Sequence, residues 1–186
     1  MADDREPTPD SACAPPAPTA RQRWRRRLGG WLFNLVLIAA IVVGVQWWKG
    51  RTLVTGEAPP LVGRTVDGTS IDLADWRGRP VLVHFWATWC PVCRITDGTI
   101  DAIADDHAVV TVALQSGTED EIRAYMHEAG QDFRVVSDPD GRLARAWGVA
   151  GVPTSFVIDG DGRIRSSIVG VSTGLGLRLR LWLAGR

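Results

Sequence analysis

The chain contains one long apolar run and, after it, a series of shorter apolar runs separated by polar turns. The long run covers residues 30–48 and contains only two polar side chains, Asn34 and Gln46. As a helix, its 19 residues would span about 28 Å, close to the ~30 Å hydrocarbon core of a bilayer. We therefore predict a single transmembrane helix over residues 30–48.

A cleaved signal peptide is the alternative interpretation of this run, because such a peptide also combines a basic start with an apolar middle. The run ends in Gln46-Trp47-Trp48-Lys49, without a small-x-small cleavage site nearby, and paired tryptophans suit the headgroup region of a bilayer. These features favour an uncleaved anchor that contacts membrane lipid through residues 30–48.

The shorter runs predict an α/β domain over residues 58–186. Val81–Trp86 is almost continuously apolar and rich in β-branched and aromatic residues, as in a central strand covered on both faces. A helix with Ile95, Ile100 and Ile103 on one side follows it, and the complete predicted order is βαβαβαββα. The other elements are a hairpin around Asp67-Gly68, strands at Val109–Leu114, Val135–Val136, Ser155–Ile158 and Ile164–Val169, and helices from Thr118 to Gly130, up to Trp147 and over Leu175–Leu183.

The distribution of charge predicts the orientation of the transmembrane helix in the membrane. The 21 basic and 21 acidic residues cancel, so the net charge does not favour a nucleic-acid partner. Five arginines lie between residues 21 and 27, whereas only Lys49 and Arg51 closely follow the apolar run. The positive-inside rule then places the N-terminus in the cytoplasm and the domain outside the membrane. Residues 1–29, rich in proline and arginine, are predicted to form a disordered cytoplasmic tail, and residues 49–57 a linker.

The segment Cys90-Pro91-Val92-Cys93 carries the candidate chemistry. If a helix begins there, Cys90 lies at its N-terminus, where unpaired backbone N–H groups stabilise a negative charge. A thiolate in that position attacks disulfides, and a second cysteine one turn later resolves the mixed disulfide. A purely structural disulfide is the alternative, but closing so short a loop provides little entropic stabilisation.

Other uses of the cysteines fit the sequence less well. A structural zinc site needs four ligands, and the sequence has no second cysteine pair or histidine cluster near this one. Arg94 follows the second cysteine where a c-type haem motif requires histidine. The third cysteine, Cys13, lies in the predicted cytoplasmic tail and is interpreted as an incidental free thiol. We therefore predict no metal and no cofactor other than a redox-active Cys90–Cys93 disulfide.

Two segments, Phe85–Cys93 and Gly151–Asp159, together resemble the thioredoxin superfamily. More narrowly, the chain is similar to the membrane-anchored TlpA/ResA-like thiol:disulfide oxidoreductases of bacteria, and most of all to those of the suppressor-for-copper-sensitivity (ScsD) type. The resemblance implies a thioredoxin-like fold with a central mixed sheet flanked by helices, preceded by the transmembrane helix. It also implies a catalytic domain on the periplasmic side of the inner membrane.

The resemblance implies roles for the matching positions. Cys90 would be the attacking cysteine and Cys93 the resolving one, and Pro153 would be a cis-proline whose loop packs beside the pair. Val152 would offer its backbone to an incoming substrate strand, because the proline after it has no N–H.

Two assignments stay open at the level of sequence. Trp86, Trp89 and Trp147 either line a substrate-binding surface beside the cysteines or pack in the core. His84 occupies the position at which thioredoxin has a buried aspartate that accepts the proton of the resolving thiol. It is either such a proton acceptor or a hydrogen-bonded core residue.

The implied function is exchange of electrons with exported protein disulfides or thiols, with a membrane electron donor of the DsbD/CcdA type as a second partner. A thioredoxin-fold peroxidase and a non-catalytic copper-binding or docking module are the alternatives. A peroxidase would reduce peroxide at a rate unaffected by protein disulfides. In a docking module, replacement of Cys93 would change metal binding without trapping any partner.

Overall fold

The computed structural model of the protein describes residues 53–186 and, before them, residues 34, 36–38, 40 and 41, which are helical. Residues 53–186 form eight strands, four α-helices and one short 3-10 helix. The strands are β1 (Gly56–Glu57), β2 (Val62–Arg64), β3 (Ser70–Asp72), β4 (Val81–Trp86), β5 (Ala108–Leu114), β6 (Val135–Asp138), β7 (Thr154–Ile158) and β8 (Arg163–Val169). The helices are α1 (Pro91–Ala104), α2 (Glu119–Ala129), α3 (Arg142–Ala146) and α4 (Gly174–Ala184), and the 3-10 helix covers Leu73–Trp76.

Six of these strands form one mixed sheet in the order β1-β8-β7-β4-β5-β6. β4 is parallel to β5 and β5 to β6, whereas β7 is antiparallel to β4, and β8 and β1 continue the antiparallel half. β2 and β3 form a separate hairpin, with Asp67 and Gly68 in its connection. β4 therefore has a strand on each side, as its continuous apolar sequence predicts.

Both faces of β4 are covered, because successive side chains of a strand point to opposite faces. Leu82 and Trp86 pack with Ile100 of α1 on one face. Phe85 packs on the opposite face in a second cluster of apolar side chains. By the same alternation, His84 belongs to the face that carries α1.

The predicted βαβαβαββα order is confirmed from β4 to α4. The boundaries of α2 also agree with the prediction. Thr118 caps its N-terminus in a reciprocal pair of hydrogen bonds with Glu121, and Gly130 ends it in the left-handed conformation with φ of 65°. Local capping signals thus fixed both ends of this helix.

The predicted apolar side of α1 is partly wrong. Ile95 is 70% exposed, whereas Ile100 and Ile103 are buried as predicted. The buried face follows the i, i+3, i+4, i+7 spacing that starts at Cys93, and Ile95 lies outside this spacing.

The linker predicted over residues 49–57 ends earlier than expected. Leu53 is buried, and Gly56–Glu57 forms β1 at the edge of the sheet, paired with Arg163 and Ile164 of β8. A strand of two residues shows no periodicity, and its partner lies far along the chain. The folded domain therefore includes residues from about 53 onward rather than from 58.

The predicted transmembrane segment lies almost entirely outside the described residues. Within residues 30–48 the structure describes six residues, all helical. None of the helices in the described part of the chain has the length and apolarity needed to cross a bilayer. The tail predicted over residues 1–29, including Cys13, also lies outside the described residues.

Candidate active site

Cys90 lies at the N-terminal end of α1, as the sequence predicts. It is the N-cap residue of the helix, and Pro91 takes the first helical position, where a missing N–H removes no intrahelical hydrogen bond. The backbone N–H of Cys93 donates to the Sγ atom of Cys90 across 3.3 Å. An amide and the positive end of the helix dipole therefore stabilise negative charge on this sulfur.

Cys93 has the opposite environment. It has no exposed surface, whereas Cys90 retains 5% exposure, and both residues are free thiols in this structure. Burial raises the pKa of the Cys93 thiol, and its hydrogen bond with Cys90 raises this pKa further. The pair thus combines one sulfur placed for attack with one held as a thiol, which is the asymmetry that attack and resolution require.

The loop before β7 lies against Cys90. The Val152–Pro153 peptide bond is cis, as the resemblance implied. The Cys90 thiol contacts the carbonyl oxygen of Val152 at 3.8 Å. The backbone N–H of Gly170, at the end of β8, donates to the carbonyl oxygen of Pro153 at 2.8 Å. This bond holds the main chain of the loop beside the attacking sulfur.

Trp89 borders the site on its solvent side. The indole is 58% exposed, and its Nε1 donates to the carbonyl oxygen of Gln115 at 3.0 Å. Val92 and Ile95 in the first turns of α1 are also exposed, so apolar side chains lie close to Cys90 on the surface. The other two candidate tryptophans are fully buried and belong to the core.

His84 is buried in the sheet, on the face of β4 that carries α1. Its Nδ1 lies 2.8 Å from the hydroxyl oxygen of Ser155 on β7. Burial lowers the pKa of the imidazole to about 3, so the ring is neutral at neutral pH. Because a ring that resists protonation is a poor acceptor for a thiol proton, the structure favours the interpretation of His84 as a hydrogen-bonded core residue.

The domain is similar to known redox proteins in both sequence and structure. Residues 53–175 match the family model described as Redoxin. The chain belongs to the redoxin family. It is 34% identical over 156 residues to the thiol:disulfide interchange protein HelX of Rhodobacter capsulatus, and this match covers 76% of the chain and 88% of HelX.

Two further relatives are also described as thiol:disulfide interchange proteins, and each is matched over most of its own length. The thiol:disulfide interchange protein DsbE of Pseudomonas fluorescens is 31% identical over 152 residues, covering 76% of this chain and 85% of that one. The crystal structure of a thioredoxin-family thiol:disulfide interchange protein from Chlorobium tepidum matches with a TM-score of 0.63 at 29% identity, covering 72% of this chain and 98% of that one. The resemblance to the thioredoxin superfamily is confirmed, and the redoxin domain is that of a thiol:disulfide oxidoreductase.

Asp97 is a candidate functional residue of this redoxin domain that the sequence reasoning missed. It lies one helical turn after Cys93 on α1 and is 1% exposed. The hydroxyl of Tyr125 on α2 donates to its Oδ2 at 3.0 Å. Burial raises the pKa of the Asp97 carboxyl, and the charge of this carboxylate contributes to the raised pKa of the Cys93 thiol. The i, i+4 spacing from Cys93 is the signal that could have found it.

A surface cleft of about 410 Å³ lies beside Asp97. Its lining includes Arg94, Asp97 and Tyr125, and the Arg94 guanidinium lies 5.8 Å from the centre of the Tyr125 ring. Two other clefts, of about 460 and 610 Å³, are lined by none of the candidate site residues.

The predicted site residues fall into two groups. Both cysteines, the Val152–Pro153 loop and Trp89 come together at the N-terminal end of α1, while His84 lies within the sheet. In the part of the chain that the structure describes, no three His, Cys, Asp or Glu side chains form a group that could hold a metal ion.

Proposed function

We propose that this protein is a membrane-anchored thiol:disulfide oxidoreductase that acts outside the bacterial inner membrane and exchanges electrons with exported proteins through Cys90 and Cys93. The observation that carries the proposal is the asymmetry of the pair. The Cys93 amide donates to the sulfur of Cys90, whereas the Cys93 thiol is fully buried. A structural disulfide has no need of such an arrangement.

The reaction has two steps when the cysteine pair begins as a dithiol. The Cys90 thiolate attacks one sulfur of the substrate disulfide, forming a mixed disulfide and releasing the other substrate sulfur as a thiolate that takes a proton from water. The Cys93 thiol then loses its proton and attacks Sγ of Cys90. The Cys90–Cys93 disulfide forms, the second substrate sulfur leaves, and two electrons have passed to the substrate. The reverse sequence oxidises a substrate dithiol.

Asp97 accepts the proton of Cys93 in this proposal. The thiol is buried and its pKa is raised, so it needs a base within the protein before it can attack. Asp97 is on the same helix one turn away, and it borders a surface cleft. Its own raised pKa brings the carboxyl closer to neutral pH, where a general base works best.

We expect Asp97→Asn to slow closure of the Cys90–Cys93 disulfide by about 10²-fold at neutral pH, because a positioned general base contributes on this order. The first step should change little, so the mixed disulfide should accumulate. Single-turnover reaction with a model peptide disulfide, followed by acid quenching and mass spectrometry, measures both steps. In the wild type, the closure rate should fall as pH decreases below the raised carboxyl pKa, and this acid limb should be absent from the variant.

The matched control for this prediction is Asp105→Asn, which changes an exposed aspartate at the C-terminal end of α1. In this control variant, the Cys90–Cys93 disulfide should close at the wild-type rate. Equal closure rates and equal pH profiles for Asp97→Asn and the wild type would remove Asp97 from the mechanism.

The direction of electron flow is that of a reductant in this proposal. A membrane electron donor of the DsbD/CcdA type would reduce the Cys90–Cys93 disulfide after each turnover, and exported protein disulfides would receive the electrons. The basic cluster before residues 30–48 supports the placement of the domain outside the membrane. Within the family, we propose a place near the ScsD type, on the combined resemblance of Phe85–Cys93 and Gly151–Asp159.

The proposal is tested with Cys93→Ser expressed in the host cell. This variant keeps the attacking sulfur but cannot close the internal disulfide, so we expect mixed disulfides between Cys90 and exported proteins. Non-reducing electrophoresis and mass spectrometry of the purified variant identify the captured partners. The matched control is Cys90→Ser with Cys93 intact, which should capture none because the remaining thiol is buried.

The alternatives give different results in the same experiment. If Cys93→Ser captured no protein and its copper binding were altered, the result would favour a non-catalytic docking module instead. Peroxide reduction by the wild type at a rate unaffected by protein disulfides, with no captured protein, would indicate a peroxidase.

A further inference from the structure

Helix α4 has two apolar faces, and only one is covered by the rest of the described chain. Leu177 and Leu181, one turn apart, are fully buried and pack in the same cluster as α1. The other apolar side chains of the helix are Leu175, Leu179, Trp182 and Leu183, which are 82%, 54%, 52% and 55% exposed.

These four exposed side chains, here termed the α4 stripe, lie on one side of the helix. Their spacing is i, i+4, i+7 and i+8, which places the stripe opposite Leu177 and Leu181. Single exposed apolar residues are common on protein surfaces, but a helix that is apolar on opposite sides is normally covered on both. The four exposed side chains of the α4 stripe, on a helix of only 11 residues, form a contiguous apolar patch, and such a patch marks an interaction surface.

Positive charge borders the α4 stripe. Arg178 and Arg180 lie between the stripe and the buried face, one on each side of the helix. Arg178 is 3.4 Å from the carboxylate of Asp106 on the neighbouring surface, and the Arg186 guanidinium lies over the Trp182 ring, 3.5 Å from its centre. Within residues 53–186, neither Arg180 nor Arg186 has a salt-bridge partner.

The sequence around α4 is basic, although the whole chain is neutral. From Gly162 to Arg186 the sequence contains five arginines and no acidic residue, whereas the full chain has equal numbers of basic and acidic residues. A partner for this surface must therefore be apolar at its centre and negatively charged around it.

We propose that the α4 stripe docks on the surface of a bilayer that contains anionic lipids. Leucine and tryptophan side chains enter the boundary between headgroups and acyl chains, and arginines at the edges contact lipid phosphates. A second copy of this chain fits less well, because pairing two stripes would bring the arginines of both helices together. This docking goes beyond the redox chemistry and requires neither Cys90 nor the predicted anchor.

The test uses residues 53–186 alone, so that residues 30–48 cannot contribute to binding. The Chlorobium tepidum relative supports this choice, because 98% of its solved chain corresponds to the matched 72% of this chain. We expect the domain to co-sediment with vesicles containing phosphatidylglycerol and only weakly with vesicles of phosphatidylcholine alone. Because one arginine near an anionic surface contributes about fivefold to partitioning, changing both Arg180→Gln and Arg186→Gln should lower binding by about 25-fold.

The apolar contribution is tested with Leu179→Ser, which should lower binding on the order of tenfold. The control is Val62→Ser on β2, which removes an apolar side chain that is 56% exposed and should leave binding unchanged. Circular dichroism and disulfide exchange verify that each variant is folded.

Three outcomes would overturn the proposal. The first is that the domain does not bind phosphatidylglycerol vesicles, and the second is that Val62→Ser and Leu179→Ser lose vesicle binding to the same extent. The third is that the domain does not bind vesicles but self-associates, and that Leu179→Ser abolishes this self-association. The last would assign the stripe to a second copy. A domain that exchanges disulfides normally but does not bind vesicles would refute this surface and leave the redox function intact.

Discussion

Replacing Cys90 with serine is expected to lower the rate of disulfide exchange by at least about 10³-fold, because the covalent nucleophile is removed. A serine hydroxyl is not ionised at neutral pH, so the amide at the start of α1 would have no anion to stabilise. Cys93 cannot replace the lost sulfur, because it is fully buried and burial raises its pKa. Thiol release from a model disulfide, followed in a single turnover of the reduced protein, measures the rate.

The comparison that makes this result specific is Cys93→Ser. That variant retains Cys90 and should form the mixed disulfide at close to the wild-type rate without completing the turnover. Cys13→Ser, in the predicted tail, should leave both steps unchanged. A Cys90→Ser variant that retained most of the wild-type rate would show that the reaction begins elsewhere.

The sheet explains why the two cysteines differ although only two residues separate them. β4 is covered on both faces and ends directly before the turn that leads to Cys90, so the start of α1 is fixed by a strand whose residues are all buried. Cys90 is then the last residue outside the helix, and Cys93 lies on its buried face. The different environments of the two sulfurs follow from the start point and rotation of one helix, which is itself held by core packing.

Much of this arrangement could be predicted from the sequence because its signals are local. The unbroken apolar run Val81–Trp86, the proline after Cys90 and the cap at Thr118 each depend on a few neighbouring residues, and the structure confirms the corresponding elements. The cis geometry before Pro153 was available only through the family resemblance, since nothing in the surrounding residues requires it.

The features that could not be predicted depend on contacts between distant segments. Asp97 is buried because Tyr125 of α2 covers and hydrogen-bonds its carboxyl, and a carboxylate in a helix otherwise indicates an exposed position. β1 exists only because β8 provides its hydrogen-bond partners. Sequence also could not decide between the two roles of His84, because the neutral state of the ring follows from its burial against β7.

Acidification from pH ~6.5 to ~4.5 is expected to lower the free energy of unfolding by about 2 kcal/mol through His84. Burial holds the pKa of its imidazole at about 3 in the folded protein, whereas an unfolded chain has the ordinary value of ~6.5. Because the folded pKa is the lower one, the unfolded chain binds more protons between these values. The stabilisation is therefore complete only about one unit above pH ~6.5, and it is lost as pH falls toward the folded pKa, with a slope that approaches ~1.4 kcal/mol per pH unit well below pH ~6.5. Urea unfolding at a series of pH values measures this slope.

His84→Gln should remove this pH dependence, because the amide does not titrate and retains groups that can hydrogen-bond to the Ser155 hydroxyl. His127→Gln, which changes an exposed histidine on α2, is the matched control and should keep the wild-type slope. Asp97 acts in the opposite direction, since its raised carboxyl pKa makes the folded state relatively more stable at lower pH. The difference between the wild type and His84→Gln therefore isolates the imidazole, and an unchanged slope in that variant would mean that the ring becomes protonated within the folded domain.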